Sequence, residues 1–258
     1  MKMINENFLL EKLKNGKNCL GTWSIIPSPI ITEIESEAGL DFVIIDMEHG
    51  PIIYETAQTM VIAAESRKTS PLIRLPDISA SEISRALDIG CHGLIFPNIS
   101  TEKDILSIIE LTSFSPNGNR GFSPFVRASN YNNQNSQKLN NSNNNILRGI
   151  IIESIEGIKN IDTFLKYDEI DLFFIGLYDL SNYLGVPGDM ENHILLDYLN
   201  TLTEKILQNN KYVGTIASNL DQLKIFKTMK ISFLAYLVDS QVVFNGFYEA
   251  AKIINEGE

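Results

Sequence analysis

The run Asp41-Phe42-Val43-Ile44-Ile45-Asp46-Met47-Glu48-His49-Gly50 places three ionisable side chains directly after a buried-looking apolar stretch. Charge at such a position is expensive to desolvate unless it is paired or used. Two later stretches repeat the design: Ile150-Ile151-Ile152 ends in Glu153, and Leu172-Phe173-Phe174-Ile175-Gly176 leads to Asp179. His49 is the natural proton carrier of the set, because an imidazole titrates near neutrality. Glu153 and Asp179 offer hard oxygen donors that would repel one another without a cation. Such a pair suits Mg²⁺ or Mn²⁺, with water and substrate oxygens completing the shell. Arg74 lies inside the apolar run Leu72-Ile73-Arg74-Leu75. A charge there must be matched, and an anionic substrate group beside the metal is the expected partner. Asp88 falls late in a helical stretch, where an acid opposes the helix dipole. Its expected role is to pair with His49.

Residues so far apart in sequence meet only if the fold collects them. Eight apolar, β-branched runs serve as strands: Leu20 to Ile26, Phe42 to Asp46, Pro71 to Leu75, Gly93 to Pro97, Gly149 to Glu153, Leu172 to Gly176, Tyr212 to Ala217 and Ser232 to Val238. Short continuous apolar runs fit strands covered on both faces, as in parallel sheets. Helical stretches alternate with them, after a first helix over Phe8 to Lys14. Ser79 and Glu82 have the spacing of a capping box. This alternation over 258 residues predicts a single (β/α)₈ TIM barrel spanning 1–258. In that fold the carboxyl ends of all strands face one site. The open doubly wound alternative lacks a glycine-rich phosphate fingerprint after the first strand. Residues 1–19 form the lead-in with the first helix, 130–145 form an Asn-rich surface insertion, and 240–256 form the last helix.

Composition excludes other classes. The net charge of −11 opposes a nucleic-acid surface. No apolar run approaches a membrane span. The N-terminal residues lack the layout of a signal peptide. Cys19 and Cys91 make no metal or redox spacing, so a reduced, cytoplasmic protein is expected. A Schiff-base mechanism needs a lysine at the site. Lys68, Lys211 and Lys230 all precede strands, at the opposite mouth. His92 and His193 read as structural, and Arg120 and Arg127 are weaker candidates than Arg74.

Taken in order, Gly21-Thr22-Trp23, Asp46-Met47-Glu48-His49, Arg74-Leu75-Pro76, Leu87-Asp88-Ile89-Gly90, Pro116 to Gly121, Arg127-Ala128-Ser129, Ile152-Glu153-Ser154 and Ile175 to Ser181 resemble the HpcH/HpaI aldolases. These are metal-dependent class II pyruvate aldolases, and the resemblance runs from about Gly21 to Ala251. It implies a barrel of the phosphoenolpyruvate/pyruvate type that reversibly cleaves a 4-hydroxy-2-oxo acid to pyruvate and an aldehyde. Glu153 and Asp179 would hold the metal, Arg74 the pyruvate oxygen and its enolate. His49, oriented by Asp88, would manage the proton, with Asp46 behind it. Gly176, Leu177 and Tyr178 would line the substrate. The resemblance also implies a homo-oligomer, commonly a hexamer, with the last helix packed on a neighbour. Val242, Val243, Phe247, Ala250, Ala251 and Ile254 give that helix a suitable face.

Three positions depart from the family pattern. Ile151 stands where a Gln is usual, Gly176-Leu177-Tyr178-Asp179 replaces Gly-Pro-small-Asp, and Leu237 replaces a common Gly. The alternatives are a citrate-lyase-like enzyme acting on an acyl-CoA and a non-catalytic metabolite-binding barrel. The aldehyde, the direction of flux and the choice of metal are open at this stage.

Overall fold

The structure is a computed structural model that describes residues 7–131 and 145–255. Eight parallel strands close into one barrel in chain order. They are β1 (Cys19–Ser24), β2 (Phe42–Asp46), β3 (Ser70–Arg74), β4 (Gly93–Phe96), β5 (Leu147–Ile152), β6 (Leu172–Ile175), β7 (Tyr212–Ala217) and β8 (Phe233–Val238). The helices are α1 (Phe8–Lys14), α2 (Pro29–Glu37), α3 (Tyr54–Ser66), α4 (Ala80–Asp88), α5 (Glu102–Thr112), α6 (Ile155–Lys159), α7 (Ile161–Phe164), α8 (Leu177–Tyr183), α9 (His193–Gln208), α10 (Leu220–Thr228) and α11 (Asp239–Asn255). The single-barrel expectation therefore holds. Most of the 130–145 insertion lies outside the described residues.

Period-two alternation along each strand sorts the apolar side chains into two clusters. Val43, Ile45, Ile73, Leu94, Ile150 and Ile152 face outward and pack against the helices. Phe42, Ile44, Leu72, Ile95, Ile151 and Phe174 point inward and fill the barrel with Trp23. α1 caps the lower end, adding Leu9, Leu10 and Leu13 to the inner cluster. The interior is thus a packed plug, and the layer above it, at the carboxyl ends of the strands, is where polar groups begin.

Two helix starts illustrate the local code. Ser79 caps α4 by accepting from the Glu82 N–H, but the Glu82 carboxylate takes the Tyr54 hydroxyl instead of closing the box. Thr101 and Asp104 make the complete box on α5. The helical stretch after β5 is divided at Asn160 into α6 and α7. α8 was not foreseen: it is short and begins directly behind Gly176. No helix among the described residues is long and apolar enough to cross a membrane. α11 leaves Phe244, Phe247, Ile253 and Ile254 exposed on this single chain.

Candidate active site

β2 and β3 pair so that Asp46 lies beside Arg74. Both side chains point inward, one layer above Ile44 and Leu72. Asp46 is 2% exposed and fully occupied. Its Oδ1 accepts the N–H of Glu48 at 3.0 Å and of His49 at 3.1 Å, which shapes the turn that presents both residues. It also accepts Arg74 Nε at 2.8 Å, and Oδ2 takes Arg74 Nη2. The guanidinium fork is therefore held bidentately in one plane. Arg74 Nη1 reaches Glu48 Oε2 at 3.0 Å, and the guanidinium carbon lies 4.4 Å over the Trp23 ring. Arg74 is paired on its edges and supported beneath by an aromatic face, so its position is fixed before any substrate arrives.

Glu153 follows β5 and Asp179 sits in the first turn of α8, after β6. Ile152 is paired with Ile175, so the residues that follow, Glu153 and Gly176, lie side by side. A Cβ on Gly176 would stand 3.1 Å from Glu153 Cβ, so this glycine leaves room for the carboxylate. Burial, opposed by the Asn98 N–H, pushes the Glu153 carboxyl above the ordinary range, and the charges of Glu48 and Asp179 add to it.

The structure distinguishes the three carboxylates at the mouth. Both oxygens of Glu48 are engaged, Oε2 by Arg74 and Oε1 by Asn98 Nδ2 at 3.3 Å. Glu153 has one oxygen on the Asn98 N–H, at 2.6 Å, and one left over. Asp179 has no hydrogen-bond or ion-pair partner among the described residues. The available donors are thus one oxygen of half-buried Glu153 and the carboxylate of exposed Asp179, hard ligands at an acidic mouth. That set fits a divalent cation such as Mg²⁺ or Mn²⁺, which takes a few carboxylates and fills its shell with water and substrate. No group of three or more His, Cys, Asp or Glu side chains poised for a metal occurs among the described residues, so these two carboxylates would leave most of a cation's shell to water and substrate.

His49 stands at the same mouth, its side chain 72% exposed, with Nε2 3.9 Å from Glu48 Oε2. Asp88, expected to pair with it, makes no contact with His49 among the described residues. α4 carries the chain away from the end of β3 and back to the start of β4, so its last residue lies toward the opposite mouth. There burial raises the Asp88 carboxyl, and the facing cation is Arg120. Arg120 itself is half-buried over the Phe114 ring, 4.4 Å away, and desolvation lowers it to about 10. One substrate-lining expectation also shifts. Leu177 is 1% exposed and packs in the outer core, so its side chain turns away from the mouth. Tyr178 is 56% exposed.

Ile151 points into the barrel one layer below Glu153, where it packs with Trp23, Phe174 and Ile95. The departure at this position thus makes the floor of the site apolar. Leu237 adopts φ 54°, a conformation that suits glycine and costs a branched residue about 1–2 kcal/mol. It lies where the β1–β8 register shifts, and Thr22 Oγ1 bonds the carbonyls of Tyr236 and Leu237 there at 3.0 and 3.3 Å.

The sequence reading missed Asn98, Trp23 and the engaged role of Glu48. For Asn98 the only signal was the Pro97-Asn98 turn after β4. No lysine lies in any strand among the described residues, and Lys211 Nζ bonds the Tyr167 carbonyl at 2.9 Å, ahead of β7.

The HpcH/HpaI aldolase/citrate lyase family matches residues 20–245. A 5-keto-4-deoxy-D-glucarate aldolase of Citrobacter koseri is 29% identical over 198 residues, 77% of each chain. Among solved structures, an HpcH/HpaI aldolase of Desulfitobacterium hafniense superimposes with a TM-score of 0.89 at 25% identity, covering 96% of this chain and 97% of the other. The citrate synthase SbnG shares the fold, with a TM-score of 0.86 at 23% identity and coverage of 98% and 99%.

Proposed function

The chain belongs to the HpcH/HpaI aldolase/citrate lyase family, and from that membership we propose a divalent-metal-dependent aldolase that cleaves a 4-hydroxy-2-oxo acid to pyruvate and an aldehyde. It is a carbon–carbon lyase, and its substrates are small molecules. The observation that carries the finer reading is the division of labour at the mouth. Arg74 is pre-set by Asp46 and Glu48, while Glu153 and Asp179 keep oxygens free.

In the cleavage direction the C4 hydroxyl loses its proton, the C3–C4 bond breaks, and its electron pair moves toward the C2 oxygen as the aldehyde departs. The enolate then takes a proton at C3 and leaves as pyruvate. Glu153 and Asp179 would hold the cation, which when bound supplies a Lewis acid for the keto and carboxylate oxygens. Arg74 faces the same region with a fixed, delocalised charge, suited to the oxygen on which negative charge grows. Its pairing means that little reorganisation accompanies that growth. His49, open to solvent and close to Glu48, is the group placed to exchange the proton. Asp46 holds the turn and the guanidinium but is too enclosed to meet substrate. Gly176 and Tyr178 border the position of the aldehyde half.

The same reading gives the chain a homo-oligomeric state, with the exposed face of α11 covered by a neighbouring copy. Any service of Asp88 to His49 would then come from a second copy, since the two lie toward opposite mouths of one chain. The test is direct. Incubated with 5-keto-4-deoxy-D-glucarate and Mg²⁺, the protein should release pyruvate, and Glu153→Gln should abolish both release and Mg²⁺ binding while the fold persists. Undiminished release by that variant would overturn the assignment.

A further inference from the structure

We propose that Asn98 is a positioning residue that sorts the carboxylates of the mouth, assigning Glu153 to the cation and keeping Glu48 for Arg74. This rests on the metal-dependent reading above. Asn98 follows Pro97 at the end of β4 and adopts φ 58°. Asn enters this left-handed region more readily than other residues bearing a side chain. The turn aims two donors of one residue at two different acids. The backbone N–H points to Glu153 Oε1 at 2.6 Å, and the side-chain amide to Glu48 Oε1 at 3.3 Å.

The consequence follows from counting oxygens. Three acids of like charge crowd the mouth, and each could in principle turn toward a bound cation. With Asn98 in place, Glu48 has no oxygen to spare, because Arg74 Nη1 holds the other at 3.0 Å. Glu153 is left with one free oxygen, so it would bind through a single atom. Without the Asn98 amide, Glu48 Oε1 would be free for the cation, which would draw the carboxylate from Arg74 toward itself. Binding would gain a ligand, and Arg74 would lose one of the two acids that fix it. Tight binding and productive geometry thus pull in opposite directions, and Asn98 favours the second.

The experiment compares the full chain with Asn98→Gly and Asn98→Ala, after thermal unfolding has shown that each folds. Mn²⁺ affinity is measured by calorimetry, and exchange of pyruvate methyl protons by NMR. Glycine keeps the left-handed turn and the N–H to Glu153 but loses the amide. Asn98→Gly should therefore bind Mn²⁺ at least as tightly as the parent, while exchange at saturating Mn²⁺ falls about tenfold, the size of a charge-assisted hydrogen bond. Asn98→Ala loses the amide and disfavours the turn, so Mn²⁺ binding should weaken as well. The glycine variant decides the matter alone. Parent-like affinity together with parent-like exchange, or weakened Mn²⁺ binding, would overturn the sorting role. A parent that binds no Mn²⁺ would overturn the metal-dependent reading, and the sorting role with it.

Discussion

The two mouths of the barrel both carry buried charge, and they treat it differently. At the lower mouth every partner is protein. His92 is 4% exposed, with Nδ1 3.0 Å from Ser70 Oγ and Nε2 3.0 Å from Glu65 Oε1. Arg127 completes the group by donating to Glu65 and, at 3.1 Å, to the Ile89 carbonyl. Burial alone would raise the Glu65 carboxyl, but hydrogen bonds from His92 and Arg127 hold it below the ordinary range. Asn7 Nδ2 bonds the His92 carbonyl at 2.6 Å, just ahead of α1. At the upper mouth, by contrast, His49 is exposed, Asp179 is unpartnered among the described residues, and Glu153 keeps an oxygen in reserve. A closed network of charges has all its partners within the protein and is costly to break, whereas an open one is available to a ligand. The contrast between His92 and His49 shows why residue type alone does not separate these roles.

The largest expected effect comes from the upper mouth. His49→Ala should slow pyruvate proton exchange by roughly 10²–10⁴-fold and leave Mn²⁺ affinity near that of the parent, since His49 is not placed among the ligands. Calorimetry beside the exchange rate separates this from a ligand role, in which affinity would collapse instead. The next effect belongs to the lower mouth. Glu65→Ala strands His92 and Arg127, and removing one partner from a buried charge network costs about 3–5 kcal/mol. Denaturant unfolding should register that loss, while activity per folded molecule stays close to the parent's. A selective loss of activity without destabilisation would erase the distinction between the mouths.

The smallest effect lies beside the end of β1. Glu35 accepts from Ser24 Oγ at 3.1 and 3.0 Å, and burial pushes its carboxyl up to about 8, with Asp239 adding repulsion. Since the folded value lies above the ordinary 4.5, the folded state binds the extra proton between these limits, and this group's contribution falls as pH rises through them. Glu35→Gln keeps a neutral hydrogen-bonding group. It should raise the melting temperature by a few degrees at pH 8 to 9, with little gain near pH 4. An equal gain at both pH values would point to packing rather than ionisation.

Much of this was legible in the sequence. The strands came from runs of β-branched residues, and β2 and β7 begin and end where the apolar runs do. Asp46, Arg74 and Glu153 were visible as charges set into or after such runs. What escaped depends on relations between strands. Asn98 matters because β4 delivers it between Glu48 and Glu153, and no local pattern marks that meeting. Trp23 reads as core and is core, yet its face supports Arg74. The sequence context of Asp88 shows an unfavourable helix end but not the direction in which α4 runs, and so gave no sign that Arg120 faces it. Leu177 sits between two site candidates, yet helical geometry turns its side chain into the outer core.

The central claim is that the upper mouth enolises a 2-oxo acid with the help of a divalent cation. It is tested most directly by following the pyruvate methyl protons in deuterated water. After chelation the protein should exchange them no faster than buffer, and added Mg²⁺ or Mn²⁺ should restore rapid exchange. Exchange that is unaffected by chelator, or that fails to appear with either cation, would contradict the account.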